Sequence, residues 1–228
     1  MKILAFDTTT KFLSLAVYNE GSVCEYNLET ANRLSLLLVP TIRRVLDALK
    51  LDISDIDYFA AGLGPGSFTG IRIGLSAAKA FALALDKPLI GIPTLDALAL
   101  NSPVTDKDII TAVDAKRGLV YSCIYRYKSG RLIKSSPYAL LSKENFLKSL
   151  KSAGIILGDA LMVYRDEILK FALPAAFTDR DCWYPKAHNI ISLAAQSIKK
   201  GGPFNSGPIY LYPEDCQVKR TCVSKGKG

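Results

Sequence analysis

Two carboxylates stand where a pair could hold a divalent cation. Asp7 ends the apolar run KILAFD and is followed by Thr8-Thr9-Thr10, while Asp114 ends IITAVD and is followed by AKRG. Two acids facing each other across a cleft could bind Mg²⁺ for phosphoryl transfer, the chemistry of a nucleotide hydrolase. A third stretch, GLGPGSFTGIRIG from Gly62 to Gly74, holds five of the sixteen glycines. A Gly-rich turn that feeds a helix leaves backbone N–H groups pointing outward, a seat for phosphate or carboxylate. It is not a Walker A loop, since no Lys-Ser/Thr follows, and it lacks the G-x-G-x-x-G spacing. The same glycines would equally serve positive φ and close packing. Local chemistry leaves both readings open.

Other chemistries lack their residues. The five cysteines (24, 123, 182, 216 and 222) are odd in number with no C-x-x-C, and His188 is the single histidine. A structural zinc site is therefore not expected, and a two-histidine metal site within this chain is excluded. A peptidase reading finds no Ser/His/Asp set and no cysteine in a pKa-lowering context. His188, between Pro185 and Asn189, reads as a helix-start residue. No catalytic residue and no metal ligand is assigned.

The elements that must position these residues follow from periodicity and turn signals. Strands are expected at 2–7, 12–18, 22–28, 56–63 and 88–92, with Asn19-Glu20-Gly21 as a hairpin turn. Helices are expected at 33–49, 69–85 and 94–101, the second capped by Ser67 or Thr69. In helix 33–49, Leu34, Leu37, Leu38, Val45, Leu46 and Leu49 form the core stripe, while Leu36 and Val39 face elsewhere. Pro40 inside it predicts a kink or a later effective start. In helix 69–85, Gly70, Gly74, Ala77, Ala78 and Phe81 make a face of mostly small residues that lets another backbone approach, with Ile71/Leu75 and Ile73/Leu83/Leu85 away from it. Such a helix is either core or a subunit contact.

After a polar break at 104–108 the order begins again: strands 109–114, 119–126 and 131–140, helix 142–152 capped by Ser142, strand 155–158 and helix 160–171. A whole ββαβα unit recurs, with an acid ending each first strand. The chain therefore divides into a lobe at 1–103, a lobe at 104–186, a helix within 187–203 that packs back on the lobes, and an extended segment with a basic tail at 204–228. The helix reads AHNIISLAAQSIKK, with Ile190, Leu193, Ala194 and Ile198 inward, and it stops at Gly201-Gly202-Pro203. PIYLYP at 208–213 is a short extended segment.

Composition agrees with a globular α/β protein: 228 residues, 49% hydrophobic and 22% charged. No apolar run approaches the length of a membrane span, and Asp7 interrupts what would be the centre of a signal peptide, so a cytoplasmic protein is expected. The net charge is +8, and residues 217–228 supply four of those charges with no acid. That tail is either a solvated end or a source of sequence-independent attraction to nucleic acid.

Two lobes of this kind resemble the actin, sugar kinase and Hsp70 superfamily, an actin-like (ribonuclease H-like) fold of mixed sheets flanked by helices. There nucleotide phosphates lie between the lobes, cradled by a D-x-G-T-like turn. Here Asp7-Thr8-Thr9-Thr10 has Thr in place of the glycine, Asp114-Ala115-Lys116-Arg117-Gly118 lacks the tight glycine pair, and Gly201-Gly202 follows a helix instead of opening one. The resemblance thus implies a degenerate nucleotide site at Asp7, Thr8, Thr9, Thr10 and Asp114.

Within that superfamily ILAFDTTT, GPGSFTGIRIGLSAAKAFAL, VDAKRGLVY and PIYL together resemble the TsaB (YeaZ) family, which helps make threonylcarbamoyladenosine beside the tRNA anticodon. The H-x-x-x-H metal motif of its catalytic relative TsaD has no counterpart, since the matching helix carries Arg33-Leu34-Ser35. The resemblance implies a non-catalytic partner of a TsaD-like subunit and a TsaE-like ATPase, or a homodimer when alone. It also implies no intrinsic cofactor, ATP or ADP at the junction with TsaD, and an indirect contact with tRNA. The implied subunit contact uses the first long helix and the helix after GPGSFTG: Leu36, Val39, Arg43, Ser67, Phe68, Thr69, Gly70, Arg72, Gly74, Ala77, Ala78 and Phe81.

Overall fold

The apolar residues in the first thirty positions pair as a three-strand meander joined by short turns, the first two strands buried and the third lying along the exposed edge. In the computed structural model, which describes residues 1–31, 33–150, 153–171, 176–201 and 203–212, these are β1 (Lys2–Asp7), β2 (Phe12–Asn19) and β3 (Ser22–Glu29). Then come α1 (Leu34–Ala48), β4 (Tyr58–Gly62), α2 (Phe68–Ala84), β5 (Leu89–Ile92) and α3 (Thr94–Ala99). The sheet order is β3-β2-β1-β4-β5, antiparallel through β1 and parallel beyond it.

The second half comprises β6 (Asp108–Lys116), β7 (Leu119–Lys128), β8 (Arg131–Lys134), β9 (Ala139–Ser142), α4 (Lys143–Ser149), β10 (Ala153–Leu157), α5 (Ala160–Phe171), β11 (Ala176–Phe177) and α6 (Ala187–Lys200). Its sheet runs β11-β10-β6-β7-β8, with β9 also on β7. Strand for strand this is the order of the first sheet, with β6 in the place of β1 and β10 in the place of β4. The chain has the duplicated actin-like fold, two mixed sheets flanked by helices.

The last helix of each half crosses over. α3 puts Leu95, Leu98 and Ala99 into the core of the second sheet with Ile109, Val113 and Leu157. α6 lays Ala187, Ile190, Ile191 and Ala194 on the first sheet beside Ile3, Ala5, Ala16 and Ile90, opposite the face that α1 and α2 cover. Where the two helices meet, Asn189 Nδ2 donates to Ala97 O at 3.0 Å and to Asn101 Oδ1 at 2.7 Å, and Asn101 Nδ2 donates to Cys182 O and Tyr184 O. Those bonds satisfy carbonyls at the crossing that would otherwise be buried unpaired.

Four expectations shift. Asp114 does not end its strand: a bulge between Asp114 and Lys116 lets pairing resume at Leu119, and Lys116 and Arg117 take positive φ to close the hairpin. The expected strand 131–140 is two strands, broken around Pro137. Strand 56–63 is trimmed to Tyr58–Gly62, because 53–55 form a 3-10 turn closed by a capping box on Asp52. Pro40 lies inside a single helix beginning at Leu34. Both Pro40 and Leu36 are exposed, so the Leu36 carbonyl, which lacks an N–H donor, is on the solvent side of the helix. The basic tail lies outside the described residues.

Candidate functional site

The Gly62–Gly74 segment receives the turn after β1. A Cβ at Gly62 would strike the Asp7 carboxylate, one at Gly66 would lie 2.5 Å from Thr9 O, one at Gly70 would strike Thr8 O, and one at Gly74 would strike the Thr8 hydroxyl. Thr8 Oγ1 donates to Gly70 O at 2.8 Å, and Ser67 N–H donates to Thr9 O at 2.7 Å. Ser67 caps α2 by accepting from Gly70 N–H at 3.2 Å. Of the two readings open in the sequence, close packing accounts for these glycines. The Ser67 and Gly70 N–H groups are engaged within the chain.

Asp7 is fully enclosed. Its Oδ1 accepts from Thr9 N–H and the Thr9 hydroxyl, each at 2.8 Å, and its Oδ2 accepts from the Thr94 hydroxyl at 2.9 Å. Burial outweighs these bonds and pushes the carboxyl above its ordinary value. Asp7 thus ties β1 to α3 and offers no oxygen to a cation in the cleft, which corrects its place in a nucleotide site. Thr8 and Thr9 are 2% and 1% exposed and border the cleft without projecting into it, whereas Thr10 is half-buried.

Between the lobes lies a cleft of about 870 Å³, with Thr10, Ser35 and Ser67 on one side and Asp114, Lys116 and Asp159 on the other. Asp114 is spent locally: its carboxylate accepts from Lys116 N–H at 2.9 Å and pairs with Lys116 Nζ at 2.6 Å. Asp159 Oδ1 accepts the Asp114 N–H at 2.9 Å. Burial, with the Asp114 charge adding, pushes the Asp159 carboxyl up to about 6, against the opposing backbone bond and Lys116. Lys116 and Asp159 were not singled out from sequence. The available signal was the position of Asp159, directly after the glycine that repeats the strand-to-helix turn of the first half. Among the described residues no group of three His, Cys, Asp or Glu side chains could hold a metal ion. His188 lies in the first turn of α6, its Nδ1 3.0 Å from Glu25 Oε2.

The expected contact residues separate into three sets. Gly70, Gly74 and Ala78 are buried inside this chain, so the small face is filled by Thr8 and the sheet and not by a second molecule; their assignment to a surface is corrected. Ala77 and Phe81 are half-buried, and Phe81 stacks on Phe59 with centroids 5.8 Å apart. Leu36 (71% exposed), Val39 (50%) and Phe68 (57%) are open, as are Arg43, Ser67, Thr69 and Arg72. Arg72 lies over the Phe68 ring at 5.4 Å, and Tyr210, not among the expected contact residues, lies against that ring at 5.1 Å. Ile209 N–H bonds Leu63 O and brings Tyr210 there. No helix among the described residues is long and apolar enough to cross a membrane.

The family model described as TsaD, tRNA N6-adenosine threonylcarbamoyltransferase, matches residues 28–200. The chain is 33% identical over 196 residues to the tRNA threonylcarbamoyladenosine biosynthesis protein TsaB of Buchnera aphidicola subsp. Schizaphis graminum, covering 83% of this chain and 90% of that one. It is 28% identical to the TsaB of Escherichia coli K12, covering 92% and 94%. YeaZ from Pseudomonas aeruginosa superposes with a TM-score of 0.80 at 26% identity, covering 92% of this chain and 99% of that one. On these matches the chain belongs to the TsaB (YeaZ) family.

Proposed function

We propose that this chain serves tRNA threonylcarbamoyladenosine biosynthesis as a non-catalytic scaffold that docks a TsaD-like catalytic subunit through the outer side of α1 and α2. The observation that carries the reading is the exposure of Leu36, Val39 and Phe68 on the two helices next to a cleft whose Asp7 is sealed off. Large apolar side chains left open on two helices that pack on each other suit a surface that a partner covers. Aromatic and Arg side chains such as Phe68 and Arg72 are the types that anchor interfaces. The names of the relatives support the pathway, and the TsaD family model supports the kind of partner.

In this reading a TsaE-like ATPase joins the assembly, and ATP or ADP is held at the junction with the TsaD-like subunit and not by this chain alone. The isolated protein uses the same helices to pair with itself. A hydrolase acting through Asp7 and Asp114 is disfavoured, since one carboxylate is enclosed and the other is tied to Lys116. The test is co-expression with a TsaD-like subunit followed by sedimentation, with Leu36→Asp as the variant. Loss of the heterodimer with unchanged circular dichroism supports the reading, and normal affinity removes it. ATP turnover by the purified chain, abolished in Asp7→Asn, would establish the hydrolase instead.

A further inference from the structure

A smaller cavity of about 270 Å³ lies at the seam where the start of β2 meets the 3-10 turn Arg180–Trp183. Its walls combine flat rings with cations. Phe12 and Tyr184 have centroids 4.6 Å apart at 59°, and Lys11 Nζ sits 5.1 Å and 5.5 Å from the two rings. Arg180 covers the Trp183 ring at 5.8 Å, and Lys186 completes the rim. Asp181 is the one acid in the lining. Lys11 pairs with Glu29 at 2.8 Å, but both side chains are about half exposed, so the pair is weak and exchangeable. Among the described residues no carboxylate lies within ion-pair distance of Arg180 or Lys186. The first N–H groups of α6 do not serve an anion here, since Ala187 N–H goes to Ser14 Oγ and His188 N–H to Glu25 Oε1. Positive charge is therefore carried by side chains standing beside aromatic faces.

We propose that this pocket holds one unpaired nucleotide of an RNA strand, its base against the Phe12 and Tyr184 rings and its phosphate on Lys186 and Lys11. Unstacked bases on aromatic faces, with the backbone on cations, are how proteins hold single-stranded RNA. Lys11, Met162 and Tyr184 also border the large cleft, which gives the strand a path onward. The proposal rests on the tRNA reading above and replaces an indirect contact with a direct one.

The chain has a single tryptophan, Trp183, in the wall of this pocket, so intrinsic fluorescence reports on occupancy. The full-length protein is titrated with an unmodified tRNA transcript carrying adenosine next to the anticodon, and separately with AMP. Anisotropy of the labelled transcript is followed as salt is raised. The transcript is expected to quench Trp183. Lys186→Glu is expected to weaken binding about tenfold and lower the salt slope by about one. Tyr184→Ser is expected to weaken it about tenfold with the slope unchanged. Lys186 caps α6 without a side-chain bond, so its variant keeps the test decisive if Tyr184→Ser fails to fold. Unchanged tRNA affinity in Lys186→Glu, or AMP binding as tightly as the transcript, overturns the proposal. Sedimentation of Lys186→Glu with the TsaD-like subunit separates the two readings. A retained heterodimer with unchanged tRNA affinity removes the pocket alone, and a lost wild-type heterodimer removes the scaffold.

Discussion

The hydroxyl of Thr8 donates to Gly70 O at 2.8 Å and fills the space that a side chain at Gly74 would need. Gly74→Ala is therefore expected to destabilise the monomer by about 1–3 kcal/mol, despite the better helix propensity of alanine, because the β1 turn must shift. Thr8→Ala alone should cost about 1 kcal/mol through the lost hydrogen bond. Together the two should cost less than their sum, since removing the hydroxyl opens room for the methyl. Urea unfolding of the four proteins checks this. Simple additivity would mean the two residues do not share that space.

Asp159 sets a pH dependence. Its carboxyl, ordinarily near 3.8, titrates near 6 in the folded protein because burial disfavours the charge. The folded state then binds more protons than the unfolded chain between those values, so this group's contribution falls as pH rises through the window. Asn at position 159 can still accept the Asp114 N–H and carries no charge. Asp159→Asn is expected to be about 1–3 kcal/mol more stable than wild type at pH 8, with the gap closing below pH 4. Urea midpoints at the two pH values decide it, and a gap that widens in acid would reverse the assignment.

Asn101 joins the crossing helices to the 180–184 turn with three hydrogen bonds. Asn101→Ala leaves the carbonyls of Cys182 and Tyr184 short of donors and should cost about 2–4 kcal/mol. Hydrogen exchange should rise first around residues 180–190. Protection unchanged there would show that water replaces the side chain.

Phe68 is open in the monomer and packs against Arg72 and Tyr210. Phe68→Ala should leave thermal unfolding within about 0.5 kcal/mol of wild type. It should weaken heterodimer formation with the TsaD-like subunit about 30-fold or more, as loss of a central aromatic anchor does. Sedimentation equilibrium measures the second quantity, and equal affinity would place the contact elsewhere.

Much of the fold was legible because period and turn chemistry are local. Ser67, Ser142 and Gly201 mark helix ends by what they do to their own neighbours, and all three act where the sequence places them. The strand through Asp114 was misjudged because a bulge inserts one residue without altering the alternation on either side. The role of the glycines stayed open for a different reason: a small residue permits both an anion and a close neighbour, and spacing does not say which arrives.

The amino-acid sequence by itself determined the duplication, most of the element order and the family, since each depends on patterns within a few tens of residues or on motifs read directly. Only the tertiary structure decided that Thr8 fills the groove at Gly70 and Gly74, that Asp7 is shut in by Thr9 and Thr94, and that Leu36 and Phe68 remain uncovered. Those outcomes depend on which segments meet after the chain has folded back. Thr8 and Gly70 are 62 positions apart, and the steric match between them exists only once β1, β4 and α2 share one core.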